Sequence, residues 1–129
     1  MAEVDIRIPF GWTPERTLAW VKERLAAAGL GDIEATGFDF ASTPNYTSPA
    51  HPLAQAVHRH ATAVMGAPPT FTITTGATDG RFFRMRGVPT IIYGPRPHGI
   101  GGLNENILVE DLIRVTKVHA ATALEFAGE

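Results

Sequence analysis

Cysteine is absent from the 129-residue sequence. Without thiols the chain forms neither disulfides nor thiolate-ligated metal sites, and its composition fits a reducing cytoplasm. No apolar run is long enough to span a membrane, and the first residues lack the basic and apolar regions of a signal peptide. The formal net charge is −2, without any basic block. We therefore expect a cytoplasmic protein that binds neither nucleic acid nor a membrane.

Several compact catalytic motifs are also missing from the sequence. It has no His-x-Asp pair, no adjacent glutamates, no glycine-rich phosphate loop ahead of a lysine, and no serine in a nucleophile elbow. The hydrophobic fraction of 44% and the charged fraction of 19% are ordinary for a soluble globular chain. No residue is therefore assigned as catalytic.

Hydrophobic patterning predicts an α/β fold. Alternating or β-branched runs indicate strands at residues 4–8, 33–40, 70–74 and 90–93. With the helices described next, the order is β-α-β followed by α-β-α-β-α, where the last part includes a short helical turn after residue 80. The first two strands are most simply parallel neighbours, because they flank one helix.

Capping residues and glycines bound the helices. A first helix is predicted to begin at Thr13-Pro14 and to end at glycines 29 and 31, and a second to run from Pro52 to Gly66. The last helix is predicted over residues 109–126. Its expected inward-facing residues are Leu112, Ile113, Thr116, Ala120, Ala123 and Leu124.

A stretch without periodicity divides the chain. Residues 41–51 are rich in proline and polar residues, so we place a hinge at 44–51, between a unit of residues 1–43 and a unit of residues 52–129. Each unit has only two predicted strands, too few for a sheet that is stable alone. We therefore expect a fragment, a split subunit or an obligate partner of other strands.

Polar residues follow the predicted strand at 70–74, at the start of the next helical turn. Thr78 and Asp79 can cap the unpaired N–H groups of that turn, and Arg81 can point at an anion. Arginine suits a carboxylate because its planar fork donates two parallel hydrogen bonds. The alternative is an ordinary capped turn with its arginine in solvent.

His98 is the histidine best placed for chemistry. It lies in a loop rich in glycine and proline, after the predicted strand at 90–93 and seven residues before Glu105. Such a loop can carry a metal ligand or an acid–base imidazole. The alternative is a solvent-exposed loop residue. The other four histidines are expected to be structural or surface residues: His51, His58, His60 and His119.

Longer motifs resemble a zinc aminohydrolase family. Residues 75–84 (TGATDGRFFR), 87–90 (GVPT) and 93–95 (YGP) resemble the C-terminal catalytic segment of the family that contains acetylornithine deacetylase, succinyl-diaminopimelate desuccinylase, aminoacylase and carboxypeptidase G. Residues 103–107 (LNENI) and 109–112 (VEDL) resemble its terminal pattern. Residues 5–9 (DIRIP), with the helix after them, resemble the second half of its lid or dimerisation domain. The resemblance covers nearly the whole chain in order.

The resemblance implies half of a ferredoxin-like lid, followed by the C-terminal part of a zinc-exopeptidase-like catalytic domain. It implies a hydrolase that cleaves the amide bond of an N-acyl amino acid or small peptide, with two zinc ions that activate a bridging water and a glutamate as general base. Thr78, Asp79 and Arg81 would lie beside the substrate. Arg81 would pair with the substrate's carboxylate.

The sequence departs from this family pattern at the metal. Most of the family's zinc ligands and its general base belong to an N-terminal segment with no counterpart here. The usual last ligand stands four residues before Glu105, at Gly101, whereas His98 stands three residues further back. Either His98 replaces that ligand or the ligand is lost, so at most one ligand is present.

Two functional hypotheses follow from this departure. The chain is the C-terminal part of a metal-dependent hydrolase, incomplete without the missing segment or a homodimer partner. Alternatively, it is a non-catalytic binding or dimerisation module derived from the same fold.

Overall fold

The computed structural model describes residues 1–37, 41–74 and 76–127. Four helices lie in these ranges: α1 (Pro14–Ala27), α2 (Pro52–Met65), α3 (Gly80–Met85) and α4 (Val109–Ala127). An isolated antiparallel bridge joins His98 and Asn106. None of the helices in the described ranges is long and apolar enough to cross a membrane.

The chain forms two compact units, Met1–Asn45 and Tyr46–Glu129. The division between them lies inside the predicted hinge at 44–51. The roles assigned to the two sides, a lid half and a part of a catalytic domain, stay predictions.

Local capping explains α1, the helix of the first unit. The Thr13 hydroxyl accepts a hydrogen bond from the Arg16 N–H at 3.2 Å, and Pro14 occupies the first turn. Gly29, with φ at +75°, follows the last turn in a conformation that favours glycine. The predicted start and end of this helix are confirmed. Leu18 and Val21, which lie on one face of this helix, are only half-buried.

Helix α2 also has the predicted ends. The Nδ1 atom of His51 accepts a hydrogen bond from the Leu53 N–H at 3.1 Å, and Gly66 ends the helix with φ at +78°. Three small residues on this helix are buried: Ala54, Ala56 and Ala61. Their small side chains let α4 pack closely against α2 in the second unit.

The predicted inward face of α4 is wrong. Val115, Val118 and Thr122 are the buried residues of this helix. By contrast, Leu112, Ile113 and Leu124 are 49%, 50% and 75% exposed. The remaining members of the predicted inward set, Thr116, Ala120 and Ala123, are exposed as well. Helix α4 carries two apolar stripes, and periodicity alone cannot tell which of them meets α2.

The four predicted strands are also wrong within the described residues. Residues 4–8, 33–37, 70–74 and 90–93 form no strand, and residues 38–40 of the second predicted strand lie outside the described ranges. A strand requires a neighbour for its backbone groups, and β-propensity alone does not provide one. Val4 and Ile73, in two of these predicted strands, are exposed. The β-α-β lid is therefore not shown, and the described structure is mostly helical.

Candidate functional site

Helix α3 brings three of the predicted site residues into one turn. The Arg81 N–H donates to the Thr78 carbonyl at 3.1 Å, and the Phe82 N–H donates to the Asp79 carbonyl at 3.0 Å. Thr78 and Arg81 are half-buried, whereas Asp79 is exposed. The structure therefore places Thr78, Asp79 and Arg81 together, as the sequence suggested. Their role in substrate binding stays a prediction.

The predicted side-chain cap at Asp79 is wrong. Asp79 is the N-cap residue of α3, but its side chain makes no capping hydrogen bond. Its backbone is already helical, with φ at −65° and ψ at −16°, whereas a capping side chain normally needs extended backbone at this position. The Asp79 carboxylate is therefore exposed at the start of α3 rather than bound to it.

Arg81 lies against an aromatic ring. Its guanidinium carbon is 4.6 Å from the centre of the Phe82 ring. A cation at this distance is attracted to the electron-rich face of the ring. The planar guanidinium fork can donate two parallel hydrogen bonds to a carboxylate.

Sequence reasoning missed a set of hydrogen bonds around the backbone N–H and carbonyl groups of Thr90. The Thr47 hydroxyl accepts from the Thr90 N–H and donates to the Thr90 carbonyl, both at 2.9 Å. The Arg84 guanidinium donates to the same carbonyl at 3.2 Å. We call Thr47, Arg84 and Thr90 the Thr90 clasp. Thr47 and Thr90 are 43 residues apart, so no local pattern could reveal the pair.

The predicted metal ligand lies in a loop that folds back on the following residues. The His98 N–H donates to the Asn106 carbonyl at 2.8 Å, and the Asn106 N–H donates to the His98 carbonyl at 3.1 Å. The Glu105 carboxylate accepts from the Gly101 N–H at 3.2 Å. His98 is exposed.

The described residues do not fit a zinc site. Nowhere in the described ranges do three or more histidine, cysteine, aspartate or glutamate residues come close enough together to hold a metal ion. Structural and catalytic zinc sites need at least three protein ligands. His98 as a single ligand stays a prediction, and further ligands would have to come from outside the described residues.

Contacts of the other four histidines agree with structural roles. His51 caps α2, and His58 stacks on Phe71 with ring centres 5.2 Å apart. His60 pairs with Glu125 at 2.8 Å, and His119 pairs with the Tyr93 carbonyl at 2.9 Å.

Glu125 of α4 accepts hydrogen bonds from two residues of α2, His60 and Arg59. These contacts, the one with His60 above all, lower the pKa of the Glu125 carboxyl below its usual value. The carboxylate therefore joins the two packed helices through charge-assisted hydrogen bonds.

Comparison with known proteins gives a family match over most of the chain. The model of peptidase family M20/M25/M40 matches residues 8–125. Two succinyl-diaminopimelate desuccinylases, from Hydrogenovibrio crunogenus and Nitrosomonas europaea, are each 26% identical over 125 residues, which is 96% and 93% of this chain. The chain spans only 32% of the length of each of these relatives. No solved structure matches.

Proposed function

Because the chain belongs to peptidase family M20/M25/M40, we propose that it forms part of a metal-dependent hydrolase that cleaves the amide bond of N-acyl amino acids or small peptides. The match over residues 8–125 carries this proposal. Members of the family are generally metal-dependent hydrolases, commonly with zinc. The cysteine-free sequence supports a cytoplasmic location.

Arg81 is the proposed partner of the substrate's carboxylate. Its half-buried position supports this role, because a partly desolvated guanidinium forms stronger charge-assisted hydrogen bonds than one fully in water. Thr78 and Asp79 are proposed to contribute polar contacts in the same turn. The two relatives are named for a succinylated diaminopimelate, a substrate class that carries several carboxylates.

We propose that the chain is inactive alone. Its described residues hold no set of three metal ligands, and it contributes at most His98. The remaining ligands and the general base would come from a complementary polypeptide, which corresponds to the two-thirds of the relatives that the chain does not span. That polypeptide, or a second copy of this chain, is the expected protein partner.

Reconstitution tests the proposal. The 129-residue chain is mixed with the part of the Nitrosomonas europaea desuccinylase that it does not span, with zinc added, and release of free amine from N-succinyl-diaminopimelate and N-acetyl amino acids is measured. We expect hydrolysis and bound zinc only in the mixture. A stable assembly that contains both polypeptides but neither binds zinc nor hydrolyses any of these amides would contradict the enzyme proposal.

The Arg81 assignment has its own variant. In the active assembly Arg81→Ala is expected to raise KM by about tenfold to a hundredfold, because a charge-assisted hydrogen bond contributes about 1.5–3 kcal/mol. Arg86→Ala is the matched control, since Arg86 is an exposed arginine just after the same helix. Equal KM values for the two variants would show that Arg81 does not bind the carboxylate.

A second candidate function, a non-catalytic binding or dimerisation module, is favoured by the exposed apolar stripe of α4, which includes Leu112, Ile113 and Leu124. Exposed apolar surface of this kind is typical of protein interfaces. Sedimentation of the chain alone distinguishes this candidate. A stable homodimer that does not assemble with the complementary polypeptide would favour the module.

A further inference from the structure

The Thr47 side chain does for Thr90 what a neighbouring strand would do. In an antiparallel pair, two residues exchange both of their N–H···O bonds. Here a single hydroxyl takes both roles, because it accepts from the Thr90 N–H and donates to the Thr90 carbonyl. Thr90 begins one of the predicted strands that the described structure does not form. The hydroxyl thus pairs with the N–H and C=O groups of Thr90 in place of a partner strand.

Arg84 connects this pairing to α3. It lies on that helix, and its guanidinium donates to the carbonyl that Thr47 also binds. The Thr90 carbonyl oxygen therefore accepts two hydrogen bonds, one from Thr47, which lies before α2, and one from Arg84 on α3. A carbonyl oxygen has two lone pairs, so both bonds can form at once.

The first residue of α3 is packed against the clasp. A Cβ atom built on Gly80 would lie 3.1 Å from a guanidinium nitrogen of Arg84, 3.1 Å from the Thr90 Cγ2 and 3.4 Å from the Thr78 Oγ1. Two of these distances are tighter than ordinary carbon contacts. A Cβ atom at this position would therefore push its neighbours by a few tenths of an ångström. The constraint is close approach and not the backbone angles, since Gly80 does not have a positive φ.

We infer that the Thr90 clasp positions the Thr78–Arg81 turn, so that Thr47, which lies before α2, sets the placement of Arg81 on α3. Thr47 is a positioning residue, because it acts through Thr90 and Arg84. The consequence for ligand binding rests on the proposed carboxylate role of Arg81. The ordering of the turn does not rest on it.

Amide hydrogen exchange tests the ordering directly. Thr47→Val keeps the shape of the side chain and removes the hydroxyl, whereas Thr47→Ser keeps the hydroxyl. In the full chain, we expect the N–H groups of Arg81 and Phe82 to exchange about tenfold faster in the valine variant, which corresponds to a net loss of one to two hydrogen bonds. The serine variant should stay within about twofold of the unchanged chain. Equal exchange in all three would overturn the inference.

Two glycine-to-alanine variants provide a second test that does not depend on Thr47. Gly80→Ala should also speed exchange at Arg81 and Phe82, even though alanine is the better helix former. Gly94→Ala is the control, because a Cβ at Gly94 would meet nothing within 4 Å. Slower exchange at α3 in Gly80→Ala would mean that helix propensity outweighs the clasp, and would overturn the inference.

Ligand titration separates this inference from the proposed function. The probes are N-acetylglycine and N-acetylglycinamide, which lacks the carboxylate, followed by amide chemical shifts. We expect the chain to bind the acid more tightly, Arg81→Ala to lose this preference, Thr47→Val to weaken acid binding about tenfold and Thr47→Ser to restore it.

The outcomes of the titration are distinct. No preference for the acid, or an unchanged preference in Arg81→Ala, would contradict the proposed role of Arg81, and hydrogen exchange would then decide the clasp alone. Loss of the preference in Arg81→Ala together with unweakened binding in Thr47→Val would overturn the positioning inference only.

Discussion

Glu125 is the residue through which pH is expected to act on the second unit. Its carboxylate accepts from His60 and Arg59, and the pKa of its carboxyl is lowered by these contacts, His60 first. A carboxyl whose pKa is lower in the folded state stabilises that state at pH values above its unfolded pKa of 4.5. The stabilisation is lost as the pH falls from there through the folded pKa.

We therefore expect acid to weaken the packing of α2 and α4 through Glu125. Circular dichroism melts between pH 7 and pH 3 should show a fall in Tm that is smaller in Glu125→Gln than in the unchanged chain. Glu110→Gln is the control, because Glu110 pairs with Arg114 of the same helix. An acid dependence in Glu125→Gln as steep as that of the control would contradict the prediction.

Sequence reasoning at the scale of residues succeeded for two local contacts, although the predicted side-chain cap at Asp79, which is also local, was wrong. The cap at Thr13 and the helix-ending glycine at position 66 were predicted, because each acts on backbone within a few residues. The pairs of Thr47 with Thr90 and of His60 with Glu125 join residues 43 and 65 positions apart. Only the folded chain brings such residues together.

At the scale of elements, the helices were predictable and the strands were not. A helix closes its hydrogen bonds within its own segment, so local sequence determines its ends. A strand depends on a neighbouring strand, which local sequence does not identify. Residues 70–74 and 90–93 form no ladder in the described structure. Family membership fits an α/β fold only coarsely in this chain.

The observed and the predicted inward stripes of helix α4 can be compared by mutation. Val118 is fully buried, whereas Ile113, which was predicted to face inward, is 50% exposed. We expect Val118→Ala to lower the free energy of unfolding by about 2 kcal/mol, from lost burial and the cavity left behind. Ile113→Ala should cost less than about 1 kcal/mol, because its side chain already contacts water and alanine favours the helix.

Urea unfolding of the two variants measures this difference. A larger loss of stability in Ile113→Ala than in Val118→Ala would mean that the predicted stripe, and not the observed one, packs against α2.

At the scale of the whole molecule, buried apolar residues are few and exposed ones are many. The buried hydrophobic side chains in the described ranges are small ones, alanines and valines, while large apolar side chains such as Phe83, Leu103 and Leu124 are exposed. Large apolar side chains are normally buried in a core or in an interface. Together with the 32% coverage of its relatives, this distribution supports the proposal that a complementary polypeptide covers part of the chain.

The exposed apolar stripe of α4 provides a direct test of that proposal. Replacing both Leu112 and Leu124 by glutamine should leave the helix content unchanged, because glutamine is a good helix former and neither side chain is buried. Assembly with the complementary part of the Nitrosomonas europaea desuccinylase should weaken at least tenfold, since two large apolar contacts each contribute about 1 kcal/mol or more. Sedimentation velocity measures the assembly, and Glu110→Gln at the start of the same helix is the control. If the double variant assembles as tightly as the control, this stripe is not the surface that the complementary polypeptide covers.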